Sequence, residues 1–272
     1  MRRAFRHVTF TVGLIVTLVL VATAALSLVY TPRDPLEMSI TGRLQGPSAG
    51  HPFGTDQFGR DLLSRVMTGA VTSILVGVIA VGIGMGLGVL LGVISGYFGG
   101  WLDEGFMRLM DAVQGFPAIL SALLISAVFR PSVTISMVAI GVAFLPVFAR
   151  LTRAAFLELR DRDFVAAARA LGAADVTIIG RHIMPNTLSP LIVQATISFP
   201  VAILAEAALA YLGLGTQPPH PSWGLMLRES QAFLATNPWF AVFPGGAIAL
   251  TVLGLNLLGD GLRDLLDPKQ TA

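Results

Sequence analysis

Residues 70–98 read AVTSILVGVIAVGIGMGLGVLLGVISGYF and decide the fold. The stretch contains no charged side chain, and the uncharged run around it extends from Arg65 to Asp103. A helix rises about 1.5 Å per residue, so roughly 20 apolar residues cross the hydrocarbon core of a bilayer. The stretch therefore predicts a transmembrane helix, because a lipid-exposed strand would leave its backbone groups unpaired.

Five further apolar runs have the same character. Of the 272 residues, 54% are apolar and 12% are charged, whereas soluble domains hold about 25% charged residues. A water-soluble protein is excluded, because nearly all the charges lie between the apolar runs. The predicted fold is an all-α integral membrane protein with six transmembrane helices. They cover residues 10–30, 70–98, 112–129, 131–149, 188–211 and 238–259.

Glycines recur at every fourth position in the second span. They are Gly84, Gly88, Gly92, Gly96 and Gly100. Residues four apart share one face of a helix, so these glycines form a ridge without side chains that lets another helix approach closely. A phosphate-binding loop is excluded, since the segment is apolar and lacks GxGxxG spacing.

Positive charges predict the orientation in the membrane. With six spans and a cytoplasmic N-terminus, twelve of the 18 Lys and Arg residues lie in inner segments and six in outer ones. Six arginines fall in the connection at 150–181 alone. We therefore expect a multi-pass protein of the cell inner membrane with both termini in the cytoplasm. The dispersed arginines do not indicate nucleic-acid binding, and the apolar run after Arg6 is too long for a cleaved signal peptide.

Two outer connections carry distinctive motifs. The first ends in HPFGTDQFGRDLLSR at 51–65, and its apolar positions after Asp61 predict a short amphipathic helix on the membrane surface, with a solvated connector as the alternative. Its polar and glycine positions are Gly54, Thr55, Asp56, Gly59, Arg60 and Asp61. The second, QPPHPSWG at 217–224, is too rich in proline for a helix and predicts an ordered loop with Trp223 at the membrane interface.

The inner connection between the fourth and fifth spans reads DFVAAARALGAADVTIIGRHIMPN at 163–186. Its alanines, arginine and leucine favour a helix of about two turns, with Asp163 as N-cap and Gly172 as a left-handed C-cap. A second helix is predicted to begin at Asp175 and to end at Pro185. A two-turn helix is marginal by itself in water, so its small alanine face indicates docking into a groove of another protein.

Four motifs in order give the chain a family resemblance. The run AAARALG, whose glycine lies thirteen residues before the proline of RHIMPN, resembles the EAA loop of ABC importer permeases. The motif at 51–65, LAEAALAYLGLGTQPPHPSWG at 204–224 and NLLGDGLRDLLDP at 256–268 resemble the dipeptide, oligopeptide and nickel permeases, in particular the second of their two permease subunits. The resemblance covers nearly the whole chain from residue 51.

The resemblance implies the fold of type I ABC importer permeases (MetI-like) and a role as the permease subunit of an ATP-driven importer. The implied partners are a second homologous permease subunit, two ABC ATPase subunits, an extracytoplasmic substrate-binding protein and the lipid bilayer. ATP and Mg²⁺ are expected on the ATPase subunits. No enzymatic activity, cofactor or metal is expected in this chain, whose only lysine, Lys269, excludes a GxxxxGK[ST] loop. The implied solutes are di- or oligopeptides, with nickel chelates as the alternative.

The EAA-like loop is expected to form a coupling helix that sits in a cleft of the ATPase subunit. The residues expected to couple the subunits are Asp163, Ala167, Ala168, Arg169, Leu171, Gly172, Asp175, Pro185 and Asn186. Ala166 stands where the family has glutamate, so any ion pair of that glutamate with the ATPase is missing. We divide the chain into 1–69, with the N-terminal transmembrane helix and the extracytoplasmic loop, and 70–272, the permease core with five transmembrane helices and the cytoplasmic coupling loop 150–187.

Glu206 lies inside the fifth span, where a carboxylate is costly and by default indicates function. It contacts substrate or a coupling ion in one interpretation and makes an interhelical hydrogen bond in the other. The alternative to the importer is an ion-coupled secondary transporter or channel that uses Glu206 and Asp111. An intramembrane enzyme lacks a catalytic set in this sequence, and the four histidines lie far apart in the topology, without the spacing of a metal site.

Overall fold

The computed structural model describes residues 8–266, and these residues are predominantly helical. Ten α-helices follow one another within this range: α1 (Val8–Ser27), α2 (Leu62–Phe98), α3 (Gly100–Gln114), α4 (Ala118–Val128), α5 (Val133–Leu159), α6 (Asp163–Ala170), α7 (Asp175–Thr177), α8 (Met184–Tyr211), α9 (Trp223–Ser230) and α10 (Trp239–Leu266). A π-helical turn at Ile178–Ile183 joins α7 to α8. The described residues form no strand, only an isolated bridge between Thr55 and Asp61. The all-α prediction is confirmed.

In this part of the chain, five helical segments are long and apolar enough to cross a membrane: α1, α2, α5, α10, and α8 with the turns before it. α3 and α4 qualify only as a pair bent by 85°, which gives up to six spans. One uninterrupted span over 112–129 was therefore a wrong prediction. Pro117 offers no backbone N–H and pushes the preceding residue away from helical angles, so the helix breaks there. α4 alone has 11 residues and is about 16 Å long, too short for a core of about 30 Å.

Ion pairs hold the broken segment to α5. Arg153 of α5 donates to both carboxylate oxygens of Asp103 in α3, at 2.5 and 2.6 Å. Arg150 donates to Asp111 at 2.5 Å. α3 therefore lies against the part of α5 that leads into the inner connection.

α2 is a single helix of 37 residues, about 55 Å long. It begins at Leu62, where Asp61 caps it by accepting a hydrogen bond from the Ser64 N–H at 2.8 Å. The prediction of a separate surface helix after Asp61 is wrong, because no proline interrupts the apolar positions and they continue directly into the span. The division of the chain at residue 69 falls within this helix and stays a prediction.

The glycine ridge of α2 lies against α5. A Cβ atom added at four of the ridge positions would come within 3.0 Å of α5 atoms. These positions are Gly84, Gly88, Gly92 and Gly96. On α5, a Cβ atom added at Gly141 would likewise come within 3.0 Å of the Ile83 side chain of α2. Gly100, the fifth glycine of the series, lies beyond the end of α2 and has open space around it. The absence of side chains thus brings the two backbones together along several turns, as the four-residue spacing predicts.

Candidate functional site

The connection from α5 to α8 forms a helical hairpin, α6 and α7, with one buried and one exposed face. Val165 and Ala168 lie three residues apart on α6 and face the chain's own core. They pack with Phe156, Ile178 and Ile183 in one apolar cluster. This cluster supplies the tertiary support that a helix of 8 residues needs in water.

The tip of the hairpin carries exposed apolar side chains. Leu171 is 88% exposed and Val176 is 82% exposed. Gly172 between them has a φ of +82°, the left-handed conformation predicted for the end of α6. Exposed apolar patches mark interaction sites, and each of these side chains can contribute roughly 1.5–3 kcal/mol when a partner buries it. Val176 was not among the predicted coupling residues, because it lies beyond the turn at Gly172, outside the AAARALG run.

The predicted coupling residues differ in their exposure to solvent. Six of them are exposed on the hairpin: Asp163, Ala167, Arg169, Leu171, Gly172 and Asp175. Ala168 was wrongly predicted to contact a partner, because it is 8% exposed and packs against the chain's own core. Asp163 and Asp175 are also not N-caps, since Arg162 and Ala174 hold those positions. Both carboxylates lie in the first turn of their helices, where a negative charge remains favourable.

Pro185 does not end a helix, contrary to prediction. α7, the π turn and α8 form one continuous helical path, in which the Met184 N–H donates to the Ile179 carbonyl five residues back. Pro185 falls in the first turn of α8, where its missing N–H is tolerated. The Asn186 side chain donates to the His182 carbonyl at 2.7 Å. The last two predicted coupling residues therefore shape the junction between the hairpin and α8.

Tyr97, in the last turn of α2, contacts the hairpin from the side of the core. Its hydroxyl donates to Asp175 Oδ1 at 2.5 Å. The same hydroxyl raises the pKa of the Arg169 guanidinium above its ordinary value. Arg160 at the end of α5 donates to the Gly96 carbonyl at 3.1 Å. No local spacing could predict these contacts, because Tyr97 lies 78 positions before Asp175.

The outer motif at 51–65 is largely buried, so the solvated connector is excluded for it. Gly54 and Gly59 have φ values of +80° and +77°, a region that side chains rarely adopt. Between them, Asp56 Oδ1 accepts hydrogen bonds from two backbone N–H groups, at 2.8 and 2.9 Å. The fully buried Thr55 accepts one from the Gln45 N–H at 2.8 Å. The motif is therefore a compact turn rather than a flexible linker.

Four charges, three of them buried and that of Glu229 partly buried, tie this turn to α9. Asp56 Oδ2 accepts from Arg60 Nε at 2.6 Å and lies 3.4 Å from Arg65 Nε. Glu229, near the end of α9, accepts from Arg65 at 2.9 Å and from Arg60 at 3.4 Å. Two positive and two negative charges balance, as the burial of charge requires. Glu229 was not predicted from the sequence, because it lies 164 positions after Arg65 and no local pattern links the two.

Glu206 is 1% exposed and holds helices together. Ser73 Oγ of α2 donates to it at 3.0 Å, and Thr216 Oγ1 from the connection after α8 donates at 3.4 Å. The Trp223 N–H at the start of α9 lies 3.5 Å from Ser73 Oγ. These contacts support the interhelical hydrogen bond over contact with substrate. Across residues 8–266, no group of three or more His, Asp or Glu side chains is arranged to hold a metal ion.

Trp223 was wrongly predicted at the membrane interface, because it is buried in the core. It is 1% exposed, and its indole Nε1 donates to the Val66 carbonyl at 3.0 Å. Gly69 makes room for the ring, which a Cβ on that residue would approach to 3.3 Å. Ser222 caps α9 by accepting from the Leu225 N–H at 3.3 Å. The proline-rich connection therefore leads the start of α9 inward, beside α2.

Comparison with known proteins identifies the family. The family described as binding-protein-dependent transport system inner membrane component matches residues 88–272. The chain is 46% identical over 258 residues to the dipeptide transport system permease protein DppC of Alkalihalophilus pseudofirmus, covering 95% of this chain and 85% of that protein. It is 44% identical over 268 residues to a putative peptide transport system permease protein of Brucella abortus, covering 98% and 90%. It is 49% identical over 224 residues to the glutathione transport system permease protein GsiD of Shigella flexneri, covering 82% and 74%.

A solved structure shares the fold. The MetNI methionine ABC transporter in an inward-facing conformation contains a chain that matches with a TM-score of 0.59 at 20% identity, covering 76% of this chain and 96% of that one. The predicted type I, MetI-like ABC importer permease fold is confirmed. Since the family match extends over more than half of the residues, the chain belongs to the inner membrane components of binding-protein-dependent transport systems.

Proposed function

We propose that this chain is one permease subunit of an ATP-driven peptide importer and that α6 is its coupling helix. It forms half of a translocation pathway, and a second homologous permease subunit forms the other half. The observation that best supports this is the α6–α7 hairpin. Its inner face packs against α2 and α5, while its tip presents Leu171 and Val176 outward.

An ATPase partner supplies the energy that this chain lacks. Shifting two conformations from a ratio of 1:99 to 99:1 takes about 5.5 kcal/mol of differential binding. The sequence has no phosphate-binding loop with a lysine, so the energy enters through contact with a subunit that binds ATP and Mg²⁺. Burial of both Leu171 and Val176 gives roughly 3–6 kcal/mol, which holds the hairpin to the ATPase subunit while that subunit moves. Two such ATPase subunits serve the two permease subunits.

Peptides are the proposed solutes, delivered by an extracytoplasmic binding protein. The relatives are named for dipeptides, for peptides and for glutathione, which share peptide bonds, and none of these three is named for nickel. The hairpin lies in the cytoplasm, with both chain termini on the same side of the inner membrane. The excess of inner Lys and Arg residues supports this orientation.

The ion-coupled alternative has less support. Asp111 is paired with Arg150, and Glu206 accepts hydrogen bonds from Ser73 and Thr216. Each carboxylate therefore already has a partner within this chain.

Co-purification in mild detergent tests the proposal. The unaltered chain is expected to retain an ABC ATPase, and Leu171→Asp to lose it and abolish uptake, because a charge replaces the apolar contact while membrane insertion is unchanged. Leu234→Asp is the matched control, since Leu234 is 50% exposed in the outer connection after α9, and it is expected to keep the ATPase. An unaltered subunit that carries no ATPase, or that transports solute after the ATPase is removed, contradicts the proposal.

A further inference from the structure

One tyrosine joins three elements at the inner end of the molecule. Tyr97 belongs to α2, Val165 to α6 and Asp175 to α7. Tyr97 donates to Asp175 through its hydroxyl and packs with Val165 in one apolar cluster. It therefore connects both arms of the hairpin, on either side of the turn at Gly172, to the end of a helix about 55 Å long.

Apolar packing supports this connection. The Tyr97 side chain is 9% exposed and lies in the cluster that contains Val93, Phe156, Val165 and Ile178. α2 and α5 are themselves joined along the glycine ridge. The hairpin is thus seated on the α2–α5 pair, while its chain connection to α8 runs through a π turn, a rare geometry that frequently occurs at functional sites.

We propose that Tyr97 is a positioning residue, which holds the coupling hairpin to α2 so that movement imposed on the tip is passed to the α2–α5 pair. This inference rests on the proposed function. Binding at Leu171 and Val176 moves the membrane helices only if the hairpin cannot move independently of α2 and α5. The bond to the charged Asp175 suits this purpose, because hydrogen bonds to ionised groups are shorter and stronger than neutral ones.

The substitution Tyr97→Phe tests this role, because it keeps the ring in the apolar cluster and removes only the hydroxyl. In the complete transporter in vesicles, with its binding protein and labelled alanyl-alanine, the solute moved per ATP hydrolysed is expected to fall at least about threefold. Backbone hydrogen exchange over 163–177 is expected to speed up by a similar factor. Co-purification of the ATPase is expected to be unchanged. Tyr30→Phe is the matched control, since Tyr30 lies beyond the outer end of α1 and is 59% exposed.

A double-mutant cycle separates positioning from packing. Asp175→Ala removes the acceptor, so the Tyr97→Phe/Asp175→Ala chain is expected to be no worse than the poorer single variant. Additive losses overturn the inference, as does a Tyr97→Phe transporter whose solute-to-ATP ratio or hydrogen exchange is unchanged. If the unaltered chain fails to retain an ATPase, the proposed function fails; if it retains one and Tyr97→Phe behaves like Tyr30→Phe, only the role of Tyr97 is refuted.

Discussion

Glu206 places a carboxyl group in a helix that is otherwise nearly all apolar. Hydroxyl groups that donate hydrogen bonds stabilise the carboxyl group there. Ser73 and Thr216 reach it from α2 and from the connection after α8. An acidic side chain at the centre of a membrane helix costs about 2.5–3.5 kcal/mol on insertion scales. The hydrogen bonds offset part of that cost, and they make Glu206 a link between helices.

We expect Glu206→Gln to leave the affinity for a labelled peptide unchanged, because the amide keeps the length of the side chain and an acceptor oxygen for Ser73. Glu206→Ala is expected to lower the free energy of unfolding by about 1–3 kcal/mol, since the buried hydroxyls lose their partner. Thermal unfolding in detergent and equilibrium binding measure the two effects. Glu104→Gln, at a carboxylate that is 65% exposed, is the control and is expected to change neither. A loss of affinity in Glu206→Gln without a change in stability would identify a substrate contact instead.

At the scale of helices, the α2–α5 contact depends on which face of α2 a glycine occupies. Gly88 lies against Phe148, so any side chain there would meet the helix opposite. Gly86, two residues away, has open space around it. The same residue type therefore has a packing role at one position and none at the other.

Gly88→Val is expected to lower the stability of the protein by about 1–3 kcal/mol or more, because the added side chain forces the two helices apart. Gly86→Val places the same side chain on the open face and is expected to have little effect. The amount of folded protein in the membrane and its thermal midpoint in detergent measure the difference. Equal losses from the two substitutions would show that the ridge is not a packing surface.

Sequence patterns predicted those features of the helices that depend on local spacing. The four-residue glycine period indicates a packing face, and Gly172 indicates the end of α6. Counting uncharged residues ran the last three residues of α3 and all of α4 into one span, 112–129, since hydropathy does not register the backbone break at Pro117. The preference of tryptophan for membrane interfaces led to the wrong position for Trp223. The space that receives its ring is created by Gly69 on α2, and nothing near Trp223 in the sequence indicates it. Pro185 is compatible with the start of a helix as well as with its end, and only the π turn decides between them.

At the scale of the whole molecule, α2 runs from the buried charges of the outer motif to Tyr97 beside the hairpin. The partners at both ends are distant in sequence: Glu229 lies 164 positions from Arg65, and Asp175 lies 78 positions from Tyr97. Such pairs follow from the packing of helices and have no signature in a single sequence. The apolar runs and the family motifs were sufficient to predict the fold class. The contacts that attach the hairpin to α2 could be identified only from the structure.

The most direct test of the account concerns where the tip of the hairpin lies and what it contacts. The chain contains no cysteine, so Leu171→Cys introduces a single reporter into this subunit, which is then assembled with cysteine-free partner subunits. We predict that a membrane-impermeant thiol reagent modifies this cysteine only from the cytoplasmic side once the ATPase is removed. With the ATPase present, a short cross-linker with one thiol-reactive and one amine-reactive end is expected to join the cysteine to an ABC ATPase subunit. Leu234→Cys, in the outer connection, should react only from the opposite side. Modification of the cysteine at position 171 from outside, or the absence of any cross-link to an ATPase, would contradict the account.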